Sequence, residues 1–592
     1  MKSLKVMGTR IKSCNTRIIR TELILYIFWS ILFVIIIRLF YLQIEQRKVF
    51  EQLGEKNFLR VERIYPLRGN LLDSNNVLLA SNRPVFDLYW QGLGDKRMST
   101  QHYILLKKVG NIVDKNLINS ESISLFEFSE RYSRRILLCK NMNFSQLCQI
   151  SEYCGNSSRL FVDNRFERVY PYGSFASHIV GYLNRIEMAG RTGVERVFQN
   201  ALHGQLGYVI NVINSTGKKL EQKGYLSAKA GKDIKLTLDF EMQRIAESLF
   251  SGDQAGAFIL MDPENGAVRA LISYPNFDPN LFLSPITEEE WNEKLTLNHP
   301  LINRATCSLY PPASTFKLVT IAAGLEEKII NPKSEYFCHG FIEFGNRKYQ
   351  CMRHTGHGIL TPRQALVVSC NVLCFEIGKR IKINTLAEYA RRFGLGSKTN
   401  FLLPEREGLV PTTEWKRKCK GERWWPGDTL SACVGQSYLL VTPLQLLRMV
   451  CSICTGDLVR PRILEEEAVE RSSIKISKDT LKLLRLSMAD AVKSGTVHLL
   501  NAIKDFEIHA KTGTAQTCSL EKEKTSKELL DHGWVTGYFK YKDEKPLAFI
   551  VFVENAGSSH PAIQIADKFL RAYKTFRENL NLQKVSVENI KE

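Results

Sequence analysis

The sequence has no zinc-finger spacing, no RNA-binding signature and no dense basic run, although 81 lysines and arginines against 61 acidic residues leave it at +20. An excess spread so thinly argues against a nucleic-acid partner and for an anionic surface. No internal repeat is present, and 592 residues are too many for one domain, so about three or four folded units are expected. Long apolar runs are also scarce. The one at Leu23 to Leu42 (LILYIFWSILFVIIIRLFYL) is broken only by Ser30 and Arg38 and matches one bilayer crossing. It lacks a small-x-small cleavage site and is followed by QIEQRKVFEQ, which favours an uncleaved anchor over a signal peptide. Evenly paired cysteine is missing too. Of 14 cysteines only Cys14 precedes the run, and an odd remainder excludes a simple disulfide framework.

What is present begins with charge around that anchor. Lys2, Lys5, Arg10, Lys12, Arg17 and Arg20 precede it, which by the positive-inside rule puts the N-terminus in the cytoplasm and everything after about residue 43 outside. Arg38 lies near the outer end, where its side chain can reach the interface. A composition of 44% hydrophobic and 24% charged residues is that of a globular protein with real cores.

Residues 44 to about 225 mix short strands, helices and turns, including RGNLLDSNN (Arg68 to Asn76) and ERVYPYGSFASHIVGYL (Glu167 to Leu183), with no catalytic constellation. From about residue 230 the pattern sharpens. DIKLTLD alternates like a strand, FEMQRIAESLF reads as a helix, and AGAFILMDPENGAVRALISYP reads as two strands joined at PENG. FEIHAKTGT, WVTGYFKY and LAFIVFVEN add strands, which predicts an antiparallel sheet with helices on its faces.

In LYPPASTFKLVTIAAGLEE (Leu309 to Glu327), two prolines lead into a helical pattern that sets Ser314 and Lys317 one turn apart on a shared face. A serine needs an adjacent base to become a nucleophile, and a desolvated lysine can be that base. The pattern S-x-x-K is common, however, and also begins at Ser215, Ser472 and Ser519. K-[ST]-G-T occurs at Lys493, where Gly495 reads as a helix C-cap, and at Lys511, where Lys511, Thr512, Gly513 and Thr514 extend a strand. An exposed sheet edge there would offer backbone groups to an extended peptide, and Gly513 would let it approach closely. S-x-N at Ser369-Cys370-Asn371 lies between the other two motifs.

The ordered set Ser314-Thr315-Phe316-Lys317, Ser369-Cys370-Asn371 and Lys511-Thr512-Gly513-Thr514 resembles the penicillin-binding proteins. The flanks DPENGAVRALISYPNFDPN, YPPASTFK and AKTGTAQ strengthen the likeness. RGNLLDSNN, RVYPYG…ASHIVGY and TGVE (Thr192 to Glu195) resemble the class B pedestal, although Ser74-Asn75-Asn76 replaces the usual Arg-Asn-Gly. WWPGDTLSACVGQSYLLVTPLQ and DHGWVTGY look like penicillin-binding protein 2, the elongation-type enzyme, with Ser437 where a second glycine is usual. The acidic glycosyltransferase motif of class A is not seen.

The resemblance implies an α+β protein: a cytoplasmic tail (1–22), a transmembrane anchor (23–43), an elongated non-catalytic pedestal (44–225), a transpeptidase domain with a central antiparallel sheet flanked by helices (226–580), and a C-terminal tail (581–592). It implies a D,D-transpeptidase of peptidoglycan stem peptides that is acylated at Ser314 and trapped there by β-lactams. Lys317, neutral although a free lysine has a pKa of roughly 10.4, would be the base, with Lys511 helping to push its pKa down. Ser369 would relay protons, Asn371 would bind the substrate amide, and Thr512 and Thr514 would hold its carboxylate. The backbone amides of Ser314 and Thr514 would form an oxyanion hole, each donor worth roughly 3 kcal/mol. A SEDS-family glycosyltransferase such as RodA, within the elongation machinery, is the implied membrane partner. The alternatives are a D,D-carboxypeptidase or β-lactamase-type hydrolase, in which water replaces the amine acceptor, and a membrane β-lactam sensor.

Cys338, Cys351, His357 and Cys370 are spaced C-x12-C-x5-H-x12-C, three thiols and an imidazole suited to a closed structural zinc site. Cys370 sits between Ser369 and Asn371, so a metal there would brace the catalytic segment from behind. A Cys338 to Cys351 disulfide, or separately buried thiols, are the other readings, and His354 is a further candidate ligand.

Overall fold

In the apolar N-terminal run nothing interrupts helical hydrogen bonding, and a helix extends over Leu4–Phe40. The stretch Glu22–Glu45, which continues past Phe40 through a π-helical turn at Tyr41–Glu45, has a mean hydropathy of 2.6, is long and apolar enough to cross a bilayer and fits a single-pass anchor. The Arg38 guanidinium lies 5.3 Å from the centre of the Tyr41 ring. The structure, a computed structural model, describes residues 4–588 apart from 96, 155–156, 186–187, 215–218 and 518–526. Lys2, Ser215 and Ser519 lie outside the described residues.

The chain forms two compact units. The first comprises Met1–Pro66, Pro84–Glu167 and Gln205–Lys229; the second comprises Leu67–Arg83, Arg168–Gly204 and Ala230–Glu592. In the first, Leu59–Ile64, Gly207–Ile213 and Lys219–Leu226 make a three-stranded sheet in that order. A separate core gathers Leu88, Trp90, Leu106, Val109, Phe126 and Leu138. The Trp90 indole N–H donates to Glu130 Oε1 at 2.9 Å, so the buried ring keeps its polar end satisfied.

The second unit carries a five-stranded sheet built from β1 (Gly256–Met261), β2 (Val268–Tyr274), β3 (Phe506–Ala515), β4 (His532–Tyr541) and β5 (Leu547–Val553). The order is β2-β1-β5-β4-β3 and every pairing is antiparallel. Both faces are covered, and the inner strands β1 and β5 are apolar along their length, whereas β3 and β4 carry polar residues such as Lys511 and Thr536. On β1, Ala257, Ile259 and Met261 enter one core while Phe258 and Leu260 enter the other. The first core contains Leu318 and Ile321 of helix α1 (Lys317–Glu326) and Leu373 of α2 (Asn371–Arg380). The second contains Phe569 and Tyr573 of the C-terminal helix His560–Glu588. The alternation in DIKLTLD yields a ladder of only Ile234–Lys235, because Leu236 bridges to Leu464 and the Thr237 N–H goes to Ile463 O.

Three stretches that look like pedestal motifs meet in one buried ion cluster of this unit. Arg68 of RGN and Arg168 of RVYPYG each donate through Nε to the Glu195 carboxylate of TGVE, at 2.7 and 2.8 Å. The altered turn SNN is accommodated because Asn76 adopts φ 69°, a left-handed conformation asparagine tolerates better than most residues. Asp73 holds the turn by accepting from the Asn75 and Val77 amides through Oδ1.

Candidate active site

The segment Tyr310-Pro311-Pro312 is fixed from three directions. Tyr310 and Val441 exchange backbone hydrogen bonds at 2.9 Å. The Trp534 indole on β4 donates to Pro311 O at 3.1 Å, and the Ala313 N–H donates to Gly435 O at 2.9 Å. Gly435 lies so close that a Cβ there would meet Ala313 O at 2.1 Å. The clamp holds Ala313 at φ 50°, a conformation costing about 1–2 kcal/mol for a non-glycine residue. A 3₁₀ turn, Ala313–Phe316, then carries Ser314 and runs straight into α1 at Lys317.

Lys317 is fully buried and aims its ammonium at the segment before α2. It donates to Ser369 O at 2.7 Å, Ser369 Oγ at 3.2 Å and Asn371 Oδ1 at 2.5 Å. Lys511 on β3, also buried, donates to the same Ser369 Oγ at 2.9 Å and to Thr512 O at 3.1 Å. Burial pushes the Lys317 pKa down. Burial and then the charge of Lys317 push that of Lys511 well down. Ser369 itself is strained, at φ 55°. The spacing predicts Ser314 and Lys317 as neighbours one turn apart. The 3₁₀ turn brings them within one turn, but the Ser314 side chain is half-buried and makes no hydrogen bond with a described residue.

The Lys511 motif lies on the outer strand of the sheet, where Gly513 pairs with Trp534. The other side of Gly513 faces the Ser314 turn: a Cβ there would stand 3.2 Å from Pro312 O and from Thr315 Cγ2. Gln436 reaches Thr514 O through Nε2 at 3.3 Å. Ser437, in the position where the family pattern has glycine, adopts φ 69°. The rejected K-S-G-T copy contributes after all. Gly495 ends the helix Lys478–Ser494, without the left-handed twist of a glycine cap and in close contact with Val367 O. The next residue, Thr496, accepts a 2.8 Å hydrogen bond from the Thr512 hydroxyl. Ser472 belongs to the exposed strand Arg471–Ser473 and has no helical turn to share with Lys475.

Cys338, Cys351, His357 and Cys370 converge, with their donor atoms all within 4.8 Å of one another. His357 Nδ1 is 3.5 Å from Cys338 Sγ and 3.6 Å from Cys351 Sγ, and Cys351 and Cys370 sulfurs are 4.0 Å apart. None of these cysteines is in a disulfide, and His354 is exposed outside the group. The cluster is joined to the catalytic segment directly, because the Asn371 N–H donates to Cys351 Sγ at 3.3 Å while its side-chain amide donates to Gln350 O at 2.9 Å.

A buried lysine pair on one serine, beside a strained serine turn and an outer strand, defines a serine acyltransferase site of the penicillin-recognising kind. Residues 256–572 match the family described as penicillin binding protein transpeptidase domain, and residues 63–236 match the penicillin-binding protein dimerisation domain. The chain belongs to the penicillin-binding protein transpeptidases. Within them it is a class B protein of the penicillin-binding protein 2 type, a serine-type peptidoglycan D,D-transpeptidase. It is 29% identical over 578 residues to the peptidoglycan D,D-transpeptidase MrdA of Escherichia coli K12, covering 90% of each chain. It is 28% identical over 577 residues to MrdA of Acinetobacter baumannii, covering 90% of this chain and 84% of that one. Among solved structures, penicillin-binding protein 2 from Helicobacter pylori in complex with MreC superposes with a TM-score of 0.75 at 26% identity, over 88% of this chain and 99% of that one. A chain from a peptidoglycan synthase complex that coordinates polymerization and crosslinking gives 0.72 at 27% identity, over 94% and 98%.

Proposed function

We propose that Ser314 is the residue acylated in crosslinking, and that Lys317 takes its proton. The observation that carries this reading is the convergence of Lys317 and Lys511 on one serine hydroxyl, at 3.2 and 2.9 Å. Two ammonium ions sharing one buried hydroxyl repel, so the pair favours one neutral amine, and Lys317, one turn from Ser314, is placed to use it. Ser314 Oγ attacks the carbonyl of the penultimate D-alanine as its proton passes to Lys317. The C–N bond then breaks, and the terminal D-alanine leaves as a free amine after receiving a proton through Ser369. An amine of a second stem peptide attacks the resulting ester, returns a proton to Ser314 Oγ and forms the crosslink. Asn371 binds the substrate amide, and Thr512 and Thr514 hold its carboxylate. The amides of Ser314 and Thr514 stabilise the oxyanion. A β-lactam enters the same sequence and remains on Ser314.

The basic N-terminal segment supports a cytoplasmic N-terminus with the catalytic unit outside the membrane. The complexes of the two structural relatives support partners in the elongation machinery, with a SEDS-family glycosyltransferase such as RodA supplying glycan strands. Zinc held by Cys338, Cys351, His357 and Cys370 is part of the same proposal. Bond lengths of about 2.3 Å to sulfur and 2.0–2.1 Å to nitrogen give a tetrahedral site edges of about 3.8 and 3.5 Å, close to the separations found. A disulfide would need sulfurs about 2 Å apart. The metal would serve as a structural clamp, and Asn371 would be held through its N–H to Cys351.

The test is reconstitution of the full chain with lipid-linked precursor and a partner glycosyltransferase. D-alanine release and crosslinked dimer should both appear, and both should vanish in Ser314→Ala. Crosslinking that survives the substitution refutes the assignment. Lys317→Ala should slow penicillin acylation by about a thousandfold or more while leaving a residual rate.

A further inference from the structure

Away from the catalytic lysines, the second unit contains a cavity of about 750 Å3 whose walls include the aromatic rings of Tyr182, Phe277 and Tyr310. Tyr182 and Phe277 meet edge to face with centres 5.8 Å apart. A space of this size and lining is typical of sites for small organic ligands. Polar side chains share the lining, among them His178, Asn303, Ser308 and Arg406. Thr192 precedes the short helix Gly193–Val197 but does not cap it, and its buried Oγ1 has no hydrogen-bond partner. Arg406 lines the cavity, is exposed, and forms no ion pair among the described residues. Cys307 is half-buried, with a thiol that reaches only Pro404 O, at 3.2 Å, and the neighbouring Thr306 hydroxyl.

The position of the cavity connects it to the reaction. Leu309 and Tyr310 form part of its wall, and the same short segment leads through the clamped prolines to Ser314. Lys317, Ser369 and Lys511 are not among the lining residues, so the cavity is distinct from the catalytic cleft.

We propose that this cavity binds a small amphipathic acid and that its occupancy alters the rate at which Ser314 is acylated. A flat apolar body packs between the aromatic walls, and its carboxylate pairs with Arg406. The acid is favoured over a neutral ligand because Arg406 is a cation with no carboxylate partner among the described residues.

The experiment uses the full chain in detergent with 2-naphthylacetate as the probe. Iodoacetamide modification of Cys307 is followed by peptide mass spectrometry, with exposed Cys419 as the internal reference. The probe should protect Cys307 saturably and leave Cys419 unchanged. Arg406→Gln should raise the half-saturating concentration about tenfold, as should replacing the probe by neutral 2-naphthylacetamide. Absent protection, parallel protection of Cys419, or equal half-saturation in Arg406→Gln would overturn the site. In the same samples, fluorescent penicillin labelling of Ser314 should change about twofold or more as the probe saturates. An unchanged rate at full Cys307 protection would overturn the regulatory half. Labelling without probe reports separately on the catalytic assignment.

Discussion

Removing the Glu195 carboxylate should be among the most damaging single changes outside the catalytic cleft. Glu195 is fully buried and accepts from Arg68 and Arg168, while the Tyr170 hydroxyl donates to it at 3.4 Å. Arg168 also donates to Gly69 O at 2.7 Å and Arg68 to Gln199 Oε1 at 2.8 Å, but Arg68 Nη1 and Arg168 Nη2 have no partner. The cluster therefore has no spare acceptor. In Glu195→Ala two buried guanidinium ions lose their counter-charge, a loss worth about 3–5 kcal/mol. In a unit of this size each kcal/mol moves the melting temperature by about 1–2 °C, so a fall of about 3–10 °C is expected. Thermal unfolding followed by circular dichroism reads this directly. The cost comes from stranded charge, so adding Arg168→Met to Glu195→Ala should recover part of the loss. An unchanged melting temperature, or a double variant less stable than the single one, would refute the reasoning.

Zinc analysis of the purified chain should find about one ion per molecule, and Cys351→Ser should lose both the metal and thermal stability. Metal-free protein with normal stability would count against the clamp. Ser437→Gly should stabilise by about 0.5–1 kcal/mol, because it relieves a left-handed serine while adding some unfolded-chain entropy; a loss in the urea midpoint would show that the hydroxyl has a structural role. Glu247, which accepts from the Ala176 N–H at 2.7 Å, has its pKa raised to about 7 by burial. The folded form holds the proton up to a higher pH than the unfolded chain does. Its contribution is therefore present below about pH 4.5 and is lost as the pH rises through 7, by about 3 kcal/mol. Glu247→Gln should flatten that part of the stability profile, and an identical profile would contradict the burial argument.

The sequence alone determined the chemistry and the alternation. Ser314, Lys317, Ser369 and Lys511 stood out because their motifs fall in a fixed order with matching flanks, and the sheet because AGAFILM, WVTGYFKY and LAFIVFVEN read locally as strands. Cys338, Cys351, His357 and Cys370 were legible as a spacing of ligand types. Only the tertiary structure decided which local pattern became which contact. DIKLTLD alternates like a full strand, yet its pairing stops after two residues because partners from other segments claim Leu236 and Thr237. Thr496 looked like the residue after a helix end, and no local signal could show that folding sets its hydroxyl against Thr512 from the outer strand. The clamp on Ala313 by Gly435 and Trp534 was equally hidden, since it joins residues more than a hundred positions apart. Motifs record what a residue can do over a turn or a strand. The distances that make Ser369 a shared partner of two lysines exist only once α1, α2 and the outer strand pack around one buried point, where desolvation sets the charge each amine keeps.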